Sequence, residues 1–190
     1  MTYRKRPKTF VSYTMYALSE GEVKRLLDAC SDLSDYIMIL LAVRYGFRRD
    51  DVVSIKIKDL VLDSSEPTLT YYEHKKNRSR TIPIEQDVVV DLRRYINTLP
   101  KEQTNLLKIT DGSTAWIHLQ NLCEVAGIPV PVGRTGRPFH ALRGTCVKMR
   151  QKQGWTLHQT AFLIGDDPET VSKHYALATS SEIADIMNKK

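Results

Sequence analysis

The stretch Asp35-Tyr-Ile-Met-Ile-Leu-Leu-Ala-Val-Arg-Tyr45 is strongly apolar, which predicts a helix at the buried centre of the fold. Gly46 follows directly and is expected to end this helix, because glycine adopts the left-handed backbone of a helix C-terminus without steric cost. A further short helix is expected just after Arg48. Upstream, Ser19-Glu-Gly-Glu22 has the capping-box pattern that starts a helix. The first part of the chain is therefore predicted to be helical.

From Leu60 the pattern changes to β-prone residues. Thr68–Tyr72 and Arg80–Ile84 are short runs of this kind that flank Lys75-Lys-Asn-Arg78, which predicts a hairpin with a basic tip. Further helices are predicted over 86–96, from a cap at Ser113 to Gly127, from the His140 region to Lys152, and over 156–164, 168 to about 175, and 180–187. The expected fold is mainly α with one small antiparallel β-sheet (α+β), in one domain over residues 17–190 after a basic arm or linker at residues 1–16.

The composition is ordinary for a globular protein, since 42% of the 190 residues are hydrophobic and 26% are charged. No apolar run approaches the roughly 20 residues of a membrane span. The basic N-terminus lacks the apolar segment of a signal peptide. Three cysteines without Cys-x-x-Cys spacing favour free thiols in a reducing compartment. His74, His118 and His158 have no metal-ligand spacing, so no metal site is expected.

The net charge of +6 is unevenly distributed along the chain. Four basic residues and no acid lie in the first eight positions, and the rest of the chain has 24 basic against 22 acidic residues. Within that near-neutral body, His74–Ile84 and Val125–Gly165 contain no Asp or Glu. The second of these stretches has six Lys or Arg. Two segregated basic runs favour a basic groove of the kind that binds nucleic acid.

Four short motifs follow one another in the sequence. They are Gly46-Phe-Arg48, Lys75 in the basic turn, His140-Ala-Leu-Arg143, and Tyr175. In this order and at this spacing, the chain from about Ala17 to Met187 resembles the catalytic domain of the tyrosine recombinase (phage integrase) family. That family has its first arginine in a Gly-x-Arg-x-x-Glu-Leu pattern. Here Asp51 replaces the glutamate, and the resemblance makes it a partner that orients an arginine.

The same resemblance sets the register of the lysine and the tyrosine. Counting back from Arg80-Thr-Ile-Pro-Ile84 places the family's hairpin lysine at Lys75, with Lys76 as the alternative. The tyrosine lies nine residues after the position following Leu-Gly, and Ile164-Gly-Asp166 places it at Tyr175. The family usually has histidine or tryptophan at the position of Asp166, where it donates a hydrogen bond to the scissile phosphate. An ionised carboxylate cannot donate, so Asp166 either turns away as a helix cap or becomes protonated in the complex.

The chemistry implied by the resemblance explains why these residue types are needed. A phenol that attacks a phosphodiester forms a covalent phosphotyrosine and conserves the bond energy, so no cofactor is expected. Arg48 and Arg143 would bind the non-bridging oxygens of the transition state. His140 is the candidate base or hydrogen-bond donor, and Lys75 the candidate acid for the departing 5′ oxygen. Tyr175 would form the 3′-phosphotyrosyl link.

The resemblance implies duplex DNA carrying a recombination site as the partner, a homotetramer on that DNA, and a monomer when free. Expected DNA-contacting residues are Lys76, Arg78, Arg80, Arg134 and Arg137. The expected location is the cytoplasm or nucleoid, or the host cytoplasm for a viral chain. No segment corresponds to the separate DNA-clamping domain of many members, which leaves open a short member or part of a longer protein.

Two other functions fit the residues. A type IB topoisomerase uses a similar residue set to nick and reseal one strand. A non-catalytic DNA-binding regulator would use Thr156–Tyr175 as a helix-turn-helix with Gly165 at the turn. Its recognition helix would start with Asp166-Asp-Pro-Glu169, which is poorly suited to a groove lined by phosphates.

Overall fold

The computed structural model describes residues 16–129, 138–174, 183–184 and 187–188. In these residues the chain forms eight α-helices and a three-stranded antiparallel sheet, which confirms the predicted α+β fold. The helices are α1 (Glu20–Asp28), α2 (Leu33–Tyr45), α3 (Arg49–Val53), α4 (Gln86–Ile96), α5 (Gly112–Val125), α6 (Pro138–Lys152), α7 (Leu157–Ile164) and α8 (Pro168–His174). The strands are β1 (Leu60–Val61), β2 (Thr68–Glu73) and β3 (Arg78–Pro83).

Helix α2 lies at the centre of the core, as its sequence predicts. It packs against α6, α4, α1 and α3. Its side chains are buried on all sides, and Met38, Ile39 and Leu41 have no exposed surface. A helix that is apolar all round is stable only in such an environment. Gly46 ends α2 with φ +66, and the short helix α3 follows directly after Arg48.

Side-chain caps begin three of the other helices, α1, α5 and α7. Ser19 and Glu22 form the predicted capping box of α1, in which each side chain binds the other's backbone N–H. Thr156 and Gln159 form a second capping box at the start of α7. The prediction for α5 was wrong in one detail, because the side chain of Asp111, and not that of Ser113, caps the helix. An aspartate two positions earlier offers a carboxylate to the same free N–H groups.

The sheet consists of the predicted hairpin and one added strand. Strands β2 and β3 pair from Thr68 opposite Pro83 to Glu73 opposite Arg78, with the basic turn 74–77 between them. Strand β1, which the sequence did not predict, pairs along the other edge of β2. Along β2 the side chains of Leu69, Tyr71 and Glu73 are buried, in the alternation that a strand imposes. One charged side chain therefore points into the protein at the base of the hairpin.

Several sequence predictions fall outside the described residues. They are the arm up to residue 15, Arg134, Arg137, Tyr175, and most of the helix predicted over 180–187.

The three cysteines are free, with Cys30 half-buried and the other two buried. In the described segments, no helix has the length and apolar character needed to cross a membrane.

The central position of α2 can be tested with Leu41→Ala. Leu41 is fully buried, so the substitution removes apolar contacts and leaves a cavity. We expect the free energy of unfolding to fall by about 3 kcal/mol in denaturant titration. The matched control is Val90→Ala on α4, where the side chain is 66% exposed and the expected change is within about 0.5 kcal/mol. Similar losses for the two variants would contradict a core centred on α2.

Candidate active site

The junction between α2 and α3 supplies the first arginine of the site. Arg48 stands at the N-cap of α3, and its side chain is 15% exposed. Its guanidinium points towards Asp51, Glu73 and Asp166, each within 4 Å. Arg49, the next residue along the chain, is 41% exposed and pairs with the exposed Asp50. The geometry therefore favours Arg48 over Arg49 as the candidate arginine of the site.

Helix α6 supplies the second arginine and the histidine. His140 and Arg143 lie one turn apart on the same face of α6. Arg143 is only 2% exposed, and its Nη1 donates to the backbone oxygen of Gly46 at 2.5 Å. Glycine is required at position 46 because φ is +66 and because a Cβ there would press on Ile164. The backbone oxygen of Gly46, at the C-terminal end of α2, thus faces the buried guanidinium, where the helix dipole favours a cation.

Asp166 joins the two arginines. Its Oδ2 accepts a hydrogen bond from Arg143 Nη2 at 2.9 Å and another from Arg48 Nη2 at 3.3 Å. Helix α7 ends at Gly165 with φ +68, and this left-handed turn directs the following carboxylate towards the arginines. Asp166 therefore does not turn away as a helix cap, which was one of the two alternatives drawn from the sequence.

The electrostatics keep Asp166 ionised in the free protein. Burial raises the pKa of its carboxyl, but the charge and hydrogen bond of Arg143 outweigh this together with the charges of Arg48 and Lys76. The net effect is a pKa below the usual range. Two guanidiniums that converge on one anionic oxygen form the arrangement with which proteins bind carboxylates and phosphates. In this structure the anion is part of the protein.

Asp51 has the position expected for a residue that orients Arg48. Its side chain is 2% exposed, and Oδ2 lies 3.7 Å from Arg48 Nη1. Its other oxygen accepts from the backbone N–H of His74 at 3.0 Å, which ties the first residue of the hairpin turn to α3. A carboxylate that is hydrogen-bonded on its far side holds its arginine in one orientation.

The hairpin brings its two lysines to different surroundings. Lys75 is exposed at the tip, whereas Lys76 is half-buried with its Nζ 3.7 Å from Asp167 Oδ2. Lys76 is also close enough to Asp166 to lower the pKa of its carboxyl. The spacing of the family motif selects Lys75 as the candidate acid. Closeness to Arg48 and Arg143, called the arginine pair below, favours Lys76.

Sequence reasoning missed Glu73. Its carboxylate has no exposed surface, and it lies against Arg48, Arg78 and Arg80. Arg80 is 10% exposed and donates to the Tyr71 hydroxyl at 2.7 Å and to a backbone oxygen of α7. Arg80, expected to contact DNA, is therefore used inside the protein. The alternation of buried and exposed side chains along β2 places position 73 on the buried face, and this pattern could have identified Glu73.

Arg78 lies opposite Glu73 in the sheet and is partly at the surface. Arg78 is 52% exposed, so its outer nitrogens remain near the surface although Nε is bound to Glu73. Among the described residues, no three His, Cys, Asp or Glu side chains are grouped as a metal site would require. The site that can be described thus consists of arginines and carboxylates between α3, α6, the hairpin and the α7–α8 turn.

The sequence model of the phage integrase family matches residues 17–181, nearly the whole chain. The chain belongs to the phage integrase family. Curated relatives include the tyrosine recombinases XerA of Pyrococcus horikoshii, 21% identical over 181 residues, and of Saccharolobus solfataricus, 26% identical over 149 residues. These alignments cover 91% and 78% of this chain, but only 60% and 47% of the two relatives.

Solved structures of family members have the same fold. The crystal structure of XerA recombinase has a TM-score of 0.75 at 22% identity, over 91% of this chain and 64% of that one. The catalytic domain of bacteriophage HP1 integrase has a TM-score of 0.65 at 18% identity, over 94% and 95% of the two chains. A lambda integrase tetramer bound to a Holliday junction has a TM-score of 0.67 at 18% identity, over 94% and 53%. The fold is therefore that of a tyrosine recombinase catalytic domain.

The bridge formed by Asp166 can be tested through the pH dependence of stability. A carboxyl whose pKa is lower in the folded state stabilises the fold above its unfolded pKa of about 3.9 and loses this effect as the pH falls through the folded value. We expect Asp166→Asn to lower the free energy of unfolding by about 1.5–3 kcal/mol at pH 7, because the two guanidiniums lose the negative charge of their shared acceptor and keep at most a neutral amide oxygen. The difference from the unsubstituted protein should shrink below about pH 4.

Asp167→Asn is the matched control for this measurement. Its side chain is 75% exposed and its nearest cation is Lys76 at 3.7 Å, so its expected effect is within about 0.5 kcal/mol. A stability difference for Asp166→Asn that stays constant down to pH 2 would show that the carboxylate charge is not what stabilises the bridge.

Proposed function

We propose that this chain is a DNA strand-exchange enzyme, or the catalytic part of one, which cleaves and rejoins DNA through a 3′-phosphotyrosine. The observation that carries the proposal is the convergence of Arg48 and Arg143 on a single anionic oxygen. In a phosphodiester complex, the non-bridging oxygens of the scissile phosphate would take the place of that oxygen. Membership of the phage integrase family supports the same chemistry.

In the proposed reaction, the phenol oxygen of Tyr175 attacks the phosphorus and the bond to the 5′ oxygen breaks. The phenol proton passes to a base, for which His140 is the candidate, and the 5′ oxygen receives a proton from a hairpin lysine. The pentacoordinate transition state carries additional negative charge on its non-bridging oxygens. Arg48 and Arg143 stay charged at any working pH and stabilise that charge. Religation by a 5′ hydroxyl of another strand reverses these steps.

The resting site is not open to a phosphate. Arg143 is 2% exposed, and its two terminal nitrogens are bound to Gly46 and Asp166. In the part of the chain that the structure describes, the Asp166 carboxylate occupies the position from which a phosphate would contact Arg143 Nη2, and two anions at that point repel each other. We propose that Asp166 leaves the arginine pair when the phosphate arrives. Aspartate in place of the family's usual histidine or tryptophan would thus change how the site opens to a phosphate.

The proposed partner is duplex DNA. Basic residues at the hairpin tip support this, since Lys75 and Arg78 are exposed next to the arginine pair. Arg134 and Arg137 are proposed to contribute from the 130–137 segment. The lambda integrase relative is a tetramer on a Holliday junction, and we propose a homotetramer on DNA here, with a monomer in the absence of DNA. Because this chain spans 60% of the XerA relative from Pyrococcus horikoshii, the domain assignment to residues 17–190 is part of the proposal.

The proposed nucleophile can be tested by trapping on a nicked suicide substrate, whose cleaved end diffuses away. We expect the protein to become covalently attached to the DNA 3′ end without added metal or ATP. Tyr175→Phe removes the attacking oxygen and should abolish the adduct. Tyr36→Phe is the matched control, because Tyr36 lies on α2 with its hydroxyl bound to Asp91, and it should leave the yield unchanged. Denaturing gel electrophoresis measures the adduct.

The outcomes separate the proposal from its alternatives. An adduct that persists in Tyr175→Phe would show that another residue is the nucleophile. Relaxation of supercoiled DNA without sequence preference would favour a type IB topoisomerase. Sequence-specific DNA binding with no cleavage by the unsubstituted protein would favour the helix-turn-helix regulator.

The proposed departure of Asp166 predicts how DNA affinity responds to its charge. Asp166→Asn removes the internal anion that competes with phosphate, so we expect DNA binding to tighten about tenfold at fixed salt. Asp166→His, which restores the residue type usual in the family, should also raise the cleavage rate. Asp167→Asn is again the control, since it removes one carboxylate without touching the arginines. Equal affinities for Asp166→Asn and Asp167→Asn, measured by fluorescence anisotropy, would contradict the competition.

A further inference from the structure

The carboxylate of Glu73 is buried without being fully hydrogen-bonded. Its Oε2 accepts from Arg78 Nε at 2.7 Å, but within the described structure its Oε1 has no hydrogen-bond partner. That oxygen lies 3.6 Å from Arg48 Nη1 and 3.6 Å from Arg80 Nη1. Glutamate is almost never fully buried unless it is paired, and an unmade bond at such a group is costly. The burial of the Glu73 carboxylate therefore indicates a function other than packing.

The end of α7 is shaped around this carboxylate. A Cβ at Gly165 would clash with the Glu73 carboxylate and with the Arg80 guanidinium. Gly165 also has φ +68, which disfavours any other residue. The turn that delivers Asp166 to the arginines and the buried carboxylate of the hairpin thus lie in direct contact.

Glu73 also sits where the hairpin meets the catalytic arginine. It is the last residue of β2 and pairs across the hairpin with Arg78, so its ion pair closes the base of the turn that carries the lysines. The next residue, His74, donates its backbone N–H to Asp51. Consecutive residues of the hairpin are therefore attached to α3 and to Arg48, which fixes the turn relative to the arginine pair.

We propose that Glu73 is a positioning residue for the leaving-group step, which holds the lysine-bearing hairpin against Arg48. This inference rests on the proposed function. When the phosphate replaces Asp166, Arg48 loses one anion, and Oε1 of Glu73 accepts the hydrogen bond that Arg48 Nη1 then directs to it. The hairpin lysine is thereby held at the 5′ oxygen, to which it gives its proton as the P–O bond breaks.

Glu73→Gln tests this role because it keeps the shape of the side chain and removes its charge. We expect cleavage of the suicide substrate at saturating DNA to slow about 10- to 100-fold, since a small displacement of a catalytic group has an effect of that order. DNA affinity should change less than about threefold, because the residue is buried and the exposed phosphate contacts that dominate affinity remain. Glu66→Gln, an exposed carboxylate just before β2, is the matched control and should cleave at the unsubstituted rate.

A substrate with sulfur in place of the bridging 5′ oxygen identifies the affected step. A thiol has a pKa of about 8.5, so a thiolate departs without a proton and the lysine becomes unnecessary. Glu73→Gln should cleave this substrate at nearly the unsubstituted rate. Equal slowing on both substrates, or no slowing on either, would overturn the assignment. Lys75→Ala and Lys76→Ala on the same pair of substrates show which lysine is the acid, because only that variant is rescued by sulfur.

Arg78→Gln provides a second variant in case Glu73→Gln unfolds the protein. Arg78 is 52% exposed, so its replacement breaks the same ion pair from the solvent side. We expect Arg78→Gln to slow cleavage of the oxygen substrate less than Glu73→Gln does, and to cleave the sulfur substrate at nearly the unsubstituted rate. Slow cleavage of both substrates would count against the inference. Failure of the unsubstituted protein to cleave either substrate would instead refute the proposed function, and the inference with it.

Discussion

The guanidinium of Arg143 is buried to 2% exposure between α6 and the end of α2, and the rest of the site depends on how that charge is compensated. A buried cation strongly destabilises a fold unless anions and carbonyl oxygens surround it. Within the described residues, the backbone oxygen of Gly46 and the carboxylate of Asp166 both contribute to this compensation. Both depend on a left-handed glycine, since Gly46 ends α2 and Gly165 turns the chain into Asp166. Two helix ends are thus positioned by one side chain.

The positive charge of Arg48 is compensated by carboxylates from several neighbouring elements. It lies near Asp51 of its own helix, Glu73 of the hairpin and Asp166 of the α7–α8 turn. Each carboxylate comes from a different element, so the arginine acts as a common contact that fixes their relative positions. Desolvation offsets most of the attraction in buried salt bridges of this kind, but loss of one partner leaves an uncompensated charge, so the three carboxylates keep Arg48 in one orientation. The cluster is therefore organised around anions that belong to the protein itself.

The sequence predicted the parts of the fold that depend on local chemistry. The capping box at Ser19, the left-handed end of α2 at Gly46 and the basic hairpin all follow from patterns within a few residues, and all were confirmed. Contacts between segments that are distant in sequence were harder to predict. Motif register placed Asp166 near a phosphate site, but only the backbone turn at Gly165 determines that its carboxylate faces inward. Glu73 was overlooked because a charge in a strand is normally solvent-facing, although the alternation of β2 indicated the opposite.

In the proposed function, the charge balance of the cluster would let it distinguish a phosphate held by the whole DNA interface from one that is loosely bound. Four arginines (Arg48, Arg78, Arg80 and Arg143) face three carboxylates (Asp51, Glu73 and Asp166), so the resting cluster carries little net charge. In the proposed function, attraction of DNA would therefore come from exposed basic residues outside the cluster, which hold any DNA equally well. A phosphate would gain Arg48 and Arg143 by displacing the Asp166 carboxylate that is hydrogen-bonded to both. A loosely held phosphate cannot compete with that intramolecular anion, whereas one fixed by the whole interface can. In the proposed function, aspartate at this position would thus make the two arginines available only to a phosphate of correctly bound DNA.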